Sequence, residues 1–277
     1  MSMDQAIAAH YTNGDLLAAI EAALPKLGIS PDQVTVADLA PVDEFHIGGR
    51  QATAHLFAQL NFAESDHLLD VGCGVGGASR FAVDQFNGRI TGIDLTPEYV
   101  ETGNVLSKWV GLDEQIRLQQ GSALAMPFAD ASFDGGFMFH VGMNIEDKAR
   151  LFSEIHRVLR PGATFGVYDI MQVGDGTLTY PVPWASVPET SYLAAPQIYR
   201  QALLDAGFTL MAENNRHAFA VKFFDEVQAR NKANGGPSLL GLHTLIGVST
   251  AVKFRNMIQN INEGHIAPVE MIVQKHR

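Results

Sequence analysis

The chain has 277 residues, 47% of them hydrophobic and 18% charged, the composition of a globular protein long enough to bury a sizeable core. No window approaches the roughly 18 uninterrupted apolar residues of a membrane span, and Met1-Ser2-Met3-Asp4-Gln5 lacks the basic and apolar segments of a secretion signal. The net charge of −11, with no Lys/Arg cluster, argues against a nucleic-acid substrate and for a small molecule, while the lone Cys73 fits a reducing, cytoplasmic setting.

Residues 5–24 carry apolar positions at helical spacing (Ile7, Tyr11, Leu16, Ile20, Leu24), and the helical character continues through Pro31–Leu39 and Arg50–Leu60. From Leu68 the pattern changes to strand–helix alternation. Strands are predicted at Leu68–Val71, Arg89–Leu95, Ile116–Gln119, Phe133–Phe139 and Ala163–Ile170. Helices fall between them at Ala78–Gln85, Pro97–Val110 and Ile145–Leu159, the last stopped by Arg160-Pro161-Gly162. A helix over Gln197–Ala206, a stop at Gly207 and a strand over Phe208–Ala212 follow, and the last strand, Ile266–Val273, is expected to close an edge of the sheet.

This order predicts an α/β fold: a Rossmann-like, doubly wound, mostly parallel seven-stranded sheet. We read residues 1–277 as a single domain, with a helical cap over 1–62 and a cofactor-binding core over 65–170. Residues 171–196, rich in Gly, Pro and aromatics, and the mostly helical 217–263 are expected to form lid insertions over the substrate.

The run Leu68-Leu69-Asp70-Val71-Gly72-Cys73-Gly74-Val75-Gly76-Gly77 carries the chemistry. An apolar strand ends there in an acid and a glycine-dense turn, where missing Cβ atoms let a nucleotide-like ligand approach the backbone. Gly72-x-Gly74-x-x-Gly77 also matches a dinucleotide fingerprint, so an NAD-dependent oxidoreductase is the alternative function. Asp94 ends the second strand about 20 residues beyond the turn, the position for binding ribose hydroxyls. Asp70, ahead of the turn, would repel a pyrophosphate but suits a ligand bearing an ammonium group and a sulfonium.

Further motifs stand in order: Gly121-Ser122-Ala123 after the third strand, Pro127-Phe128-Ala129-Asp130-Ala131-Ser132-Phe133-Asp134 into the fourth, and Val158-Leu159-Arg160-Pro161-Gly162 before the fifth. Together with the glycine run they resemble the class I S-adenosylmethionine-dependent methyltransferases, in particular the group of ubiquinone-type, sterol-type and tocopherol-type enzymes, over residues 65–170. The resemblance implies S-adenosyl-L-methionine as cofactor. Asp70, Gly72 and Gly74 would lie against its methionine part, Asp94 at the ribose, Leu95, Ser122 and Ala123 around the adenine, and His140 near the sulfonium. Many relatives carry Asp or Asn at the Ser122 position, so that adenine contact differs here. Asp43-Glu44-Phe45-His46-Ile47-Gly48-Gly49-Arg50 resembles the segment that closes over the cofactor, with Gly48 permitting close approach and Tyr11 covering from the first helix.

Methyl transfer from a sulfonium is a displacement on an activated electrophile, so alignment and exclusion of water come first. A base is needed only where the nucleophile must lose a proton early. His140 is the candidate for that role, while Asn144 is expected to cap the next helix. Phosphoethanolamine methyltransferases use a tyrosine–histidine pair, but their histidine aligns near Gly142. Substrate contacts are expected from His46, Tyr180, Trp184 and His243. These suit a glycine-betaine-type amine held by aromatics or an aromatic or prenyl compound stacked on them. No metal site is expected, and the chain is expected to act as a monomer or homodimer.

Overall fold

In the computed structural model, which describes residues 3–12 and 14–276, the alternation seen from Leu68 onward becomes one seven-stranded sheet. Met1, Ser2 and Arg277, and Asn13 inside the expected first helix, lie outside the described residues. The strands are β1 (His67–Val71), β2 (Arg89–Asp94), β3 (Ile116–Gln120), β4 (Phe133–Phe139), β5 (Leu159–Gln172), β6 (Phe208–Asn215) and β7 (Ile266–Lys275). Their order is β3-β2-β1-β4-β5-β7-β6. The first five strands run parallel, and β7 is antiparallel to both β5 and β6.

The last strand therefore does not close an edge as the sequence suggested. It inserts between β5 and β6, with all eight residues from Ile266 to Val273 buried. That burial is why the segment reads as an unbroken apolar run. The edge falls instead to β6, whose pairing shifts register between Leu210 and Ala212, a bulge of the kind that blunts an exposed edge.

Helices α5 (Gly77–Phe86), α6 (Pro97–Trp109), α7 (Lys148–Val158) and α8 (Pro196–Asp205) pack on the sheet faces. One face buries Phe152, Ile155 and Leu203 against Val71, Phe165 and Val273. The other buries Leu56, Phe57, Phe81 and Val100 against Ile90, Phe137 and Tyr168. The N-terminal helical stretch divides into α1 (Met3–Tyr11) and α2 (Leu16–Ala23). It is followed by α3 (Val36–Asp43), which opens with a Thr35/Asp38 capping box, and α4 (Gly49–Phe57).

Asn144 does not cap the helix after β4. The cap is Asp147, which accepts from the Arg150 amide at 2.8 Å, and Asn144 lies buried in a 3-10 turn over Gly142–Asn144. Residues 217–263 fold as α9 (His217–Ala233), α10 (Leu242–Ile246) and α11 (Thr250–Asn262). The register aligns Val71, Ile93 and Met138 across the sheet, so the carboxyl ends of β1, β2 and β4 open onto one edge. The ligand site lies there, as expected for an open parallel sheet.

Candidate active site

One cavity of about 1040 Å³ occupies that edge, covered by α1, α3 and the α9–α11 insertion. Its floor is the glycine turn. The amides of Gly72 and Cys73 both donate to the Ile93 carbonyl, at 2.8 and 3.1 Å, which folds the chain back over β2. Gly72 has φ +70°, and a Cβ there would collide with the Val141 side chain. Gly74 differs: with φ +52°, its missing Cβ would meet nothing within 4 Å, so open cavity lies above that backbone.

The Asp94 carboxylate braces the turn from β2. Its Oδ2 accepts from the Gly74 amide at 2.9 Å and its Oδ1 from the Thr96 amide at 2.8 Å. Each oxygen keeps a further lone pair, the arrangement needed to accept a pair of vicinal hydroxyls. Burial raises its pKa, against the hydrogen bonds from Thr96 and Gly74. Asp70, 2% exposed, accepts from the Ser79 hydroxyl at 2.7 Å. Burial pushes its carboxyl up to about 7, opposed by that hydrogen bond and reinforced by Asp94. A cationic ligand group would relieve both carboxylates.

Two histidines meet beside this floor. His140 follows β4 with φ +54°, a left-handed conformation uncommon outside glycine and often found at functional sites. Its ring stacks on Tyr168, 5.5 Å between centroids and 5° between planes, and stands edge-on to His46 at 5.9 Å. Its Nε2 is buried with no hydrogen-bond partner, and burial, then His46, holds its pKa well below the ordinary imidazole value. His46, stacked on Phe139 at 4.5 Å, approaches the Gly49 carbonyl and the Thr53 hydroxyl with Nε2, at 3.1 and 3.0 Å. Burial brings it down to about 4, so both rings are neutral at pH 7.

Among the described residues, three buried side-chain atoms lack partners: Asp43 Oδ1, the Tyr99 hydroxyl and His140 Nε2. All three residues line this one cavity. Unpaired buried polar atoms are costly, so their clustering marks a place completed by a ligand. An adenosyl ligand fits: the open space over Gly74, the free lone pairs of Asp94 and the acid at Asp70 match hydroxyls and a cationic amino acid part.

The cavity gathers Tyr11, His46, Gly48, Asp70, Gly72, Gly74, Asp94, Leu95, Ser122, Ala123, His140, Trp184 and His243. Tyr180 is not on its wall; it packs with the cluster that holds Val182 and Trp184. His243 is an exposed residue of α10 at the same cavity. The Tyr11 hydroxyl donates to Asn144 Oδ1 at 3.1 Å, tying α1 to the turn after β4. Gly48 lies under Phe219 of α9, whose ring a Cβ would meet at 2.5 Å.

Sequence reasoning missed the residues that support the site from behind. Arg80 and Asp43, both fully buried at the side chain, pair at 2.8 Å. Arg80 also donates to the carbonyls of Val75 and Gly103, locking the glycine turn to α6. The signal was an arginine inside the apolar run of α5. Asp169, in the apolar core of β5, accepts from the Tyr199 hydroxyl at 2.7 Å, and burial pushes it up to about 7. This pair sits against Gly142, where any Cβ would strike Asp169 Oδ2.

The strand order with an antiparallel β7, and a glycine turn braced by an acid at the end of β2, define the class I methyltransferase type of α/β protein. A dinucleotide fold runs 3-2-1-4-5-6 instead. At the start of α5 the Asp43 carbonyl lies where a Cβ on Gly77 would stand, so α3 packs directly on that glycine. Residues 69–167 match the family described as "Methyltransferase domain". The chain is 32% identical over 121 residues to a sterol 4-C-methyltransferase of Caenorhabditis elegans, covering 44% of this chain and 36% of that protein. A probable chloroplastic tocopherol O-methyltransferase of Oryza sativa subsp. japonica is 40% identical over 96 residues, covering 35% of this chain and 26% of its own length. The chain thus spans about a third or less of these relatives. The geranyl diphosphate C-methyltransferase of Streptomyces coelicolor A3(2) shares the fold over nearly the whole length: TM-score 0.71, 19% identity, 99% of this chain and 98% of that one.

Proposed function

We propose that the chain is an S-adenosyl-L-methionine-dependent methyltransferase acting on a small molecule by direct displacement. The Asp94 carboxylate carries the reading: it braces Gly74 beneath open cavity while keeping lone pairs for ribose hydroxyls. The relatives and the fold neighbour, named for methyl transfer to sterols, tocopherols and geranyl diphosphate, support the same class.

In this reading Asp70 pairs with the cofactor's amino group, Leu95, Ser122 and Ala123 flank the adenine, and His140 orients the acceptor at the end of β4. Tyr11, held on Asn144, closes the cavity over the reacting atoms and excludes water. The cofactor supplies an activated methyl group; the chain supplies alignment, which is worth up to about 7–11 kcal/mol in favourable systems. Trp184, His243 and the helical insertion bound the acceptor side. Tyr180 is set back from the wall, packed against the cluster that holds Trp184.

Thermal shift and turnover test the reading. S-adenosylmethionine at about 100 times its Kd should add about 2.7 kcal/mol of stability, and NAD should add none. Stabilisation by NAD alone, or cofactor binding with no methylation of any metabolite, would overturn it.

A further inference from the structure

The acceptor half of the cavity is walled by Phe223, Phe224, Leu245, Phe254, Met257 and Ile258 from the helical insertion. Its charged groups are largely spoken for. Arg50 is held by Glu44 at 2.7 Å and lies over the Phe81 ring. Asp43 is paired with Arg80, and Asp147 caps α7. That leaves Arg230, exposed on α9, exposed Glu146, and Asp4 in the first turn of α1. Among the described residues a diphosphate would find no pair of free cations in this lining, and no group of three His, Cys, Asp or Glu could hold a metal ion.

Against this apolar wall stand two neutral imidazoles, and they are not equivalent. The Thr53 hydroxyl donates to Glu44 Oε2 at 2.6 Å, so its oxygen is left to accept. His46 Nε2 faces that oxygen and the Gly49 carbonyl, both acceptors, and therefore carries the ring proton. Nδ1, which has no hydrogen-bond partner among the described residues, is a bare lone pair on a ring lining the cavity. Behind the ring lies a buried carboxylate: Glu44 Oε2 is 3.5 Å from Nε2. A proton arriving at Nδ1 would make an imidazolium with Glu44 Oε2 behind it, while Arg50 holds the other carboxylate oxygen; burial keeps the free ring neutral at pH 7, so the proton is taken only as the new carbon–oxygen bond forms. His140 has no such support among the described residues: its buried Nε2 has no hydrogen-bond partner.

We propose, resting on the methyltransferase reading above, that the acceptor is an uncharged lipophilic hydroxy compound and that His46, backed by Glu44 and Thr53, takes its proton. The hydroxyl oxygen bonds to the methyl carbon as the carbon–sulfur bond breaks. Sulfur keeps the electron pair, leaving S-adenosylhomocysteine, and the hydroxyl proton passes to His46 Nδ1 and thence to solvent after release. The product is a methyl ether.

The test uses the purified chain, methyl-labelled S-adenosylmethionine and an organic cell extract separated by ion exchange into neutral, cationic and anionic fractions. Label in the neutral fraction, released as iodomethane by hydriodic acid, supports the proposal. Label in a charged fraction, or held in a carbon–methyl bond, overturns it while leaving methyl transfer standing. No label in any fraction overturns the methyltransferase reading itself. With the labelled neutral fraction as acceptor, His46→Gln and His46→Ala should keep cofactor affinity within threefold yet lose about 10²-fold in turnover. Added imidazole should restore part of the His46→Ala loss, and Glu44→Gln should lower turnover without imidazole rescue. Unchanged turnover in both His46 variants, or loss in His46→Ala that imidazole leaves untouched while His46→Gln is fully active, would remove His46 from the chemistry.

Discussion

Replacing Asp70 with Asn should make the ligand-free protein more stable at pH 8 while ruining its affinity for the cofactor. Asp70 is buried, and its carboxyl is raised from 3.8 to about 7, chiefly by that burial. For an acid whose pKa is higher folded than unfolded, the unfolded chain releases its proton first. Stability from this group is therefore intact below about pH 4, declines between about pH 4 and 7, and is fully lost above. The shift corresponds to about 4 kcal/mol of penalty at pH 8.

An amide carries no charge and can still accept from the Ser79 hydroxyl. Its new N–H donors lack an evident partner, which returns about 1–3 kcal/mol of cost. The net gain is about 1–3 kcal/mol, and at about 2–4 °C per kcal/mol the melting temperature should rise by several degrees. At pH 5 the wild-type carboxyl is already neutral, so the advantage should vanish or reverse. Calorimetric titration should show wild-type affinity for S-adenosylmethionine tightening as pH rises through 7. The Asn variant should lose that dependence and bind at least about 30-fold more weakly, about 2 kcal/mol. A variant no more stable than wild type at pH 8, or one binding within threefold, would refute the reasoning.

Other substitutions separate the parts of the site. Asp94→Ala should weaken cofactor binding by about 10²-fold, since it removes charge-assisted bonds of about 1.5–3 kcal/mol each, whereas Ser122→Ala should change it by less than about threefold; equal losses in equilibrium binding would misplace the adenine. His140→Ala should raise the acceptor KM about tenfold, about 1.4 kcal/mol, with a smaller change in kcat, and steady-state kinetics on the labelled neutral fraction would expose a kcat-dominated loss. Arg80→Met strands the Asp43 carboxylate in the core and should cost about 3–5 kcal/mol in denaturant unfolding. Adding Asp43→Asn should recover part of that loss, and a double variant as unstable as the single would show that packing rather than charge is at stake.

The cofactor half of the site was legible because its demands fall on local sequence. A turn that needs residues without Cβ writes itself as Gly72, Gly74 and Gly76, and a brace at a strand end writes itself as Asp94. Strand placement was legible for the same reason: buried parallel strands are apolar runs with sharp ends. The position of β7 was not, because Ile266–Val273 is equally apolar in the middle of the sheet and beneath a covered edge; only its pairing with both β5 and β6 decides. Asn144 was misread for a related reason. Asn and Asp are both good caps, and only the fold places Asn144 in the 3-10 turn and Asp147 at the start of α7, where its side chain accepts from the Arg150 amide.

The supporting layer behind the site is the part that sequence spacing hides. Arg80 reaches Asp43 across 37 positions, and Tyr199 reaches Asp169 across 30, so no local pattern connects them. What local sequence does offer is a mismatch: an arginine in the buried face of α5, an acid in the core of β5, an acid pair before the His46 segment. Each is a charge placed where propensity and hydrophobic pattern disfavour it, and each proves to hold the floor of one cavity in place. The same logic explains why two acids, Asp70 in the site and Asp169 behind it, are raised to about 7, and why three polar atoms at the cavity are orphaned. Asp70 lines the cavity, so a cationic ligand can recover its penalty; Asp169 does not, and its cost is borne by the Tyr199 bond and Lys148 to keep the turn after β4 rigid. Only the first should therefore respond to cofactor: saturating S-adenosylmethionine should flatten the pH dependence of stability that Asp70 imposes and leave that of Asp169 unchanged.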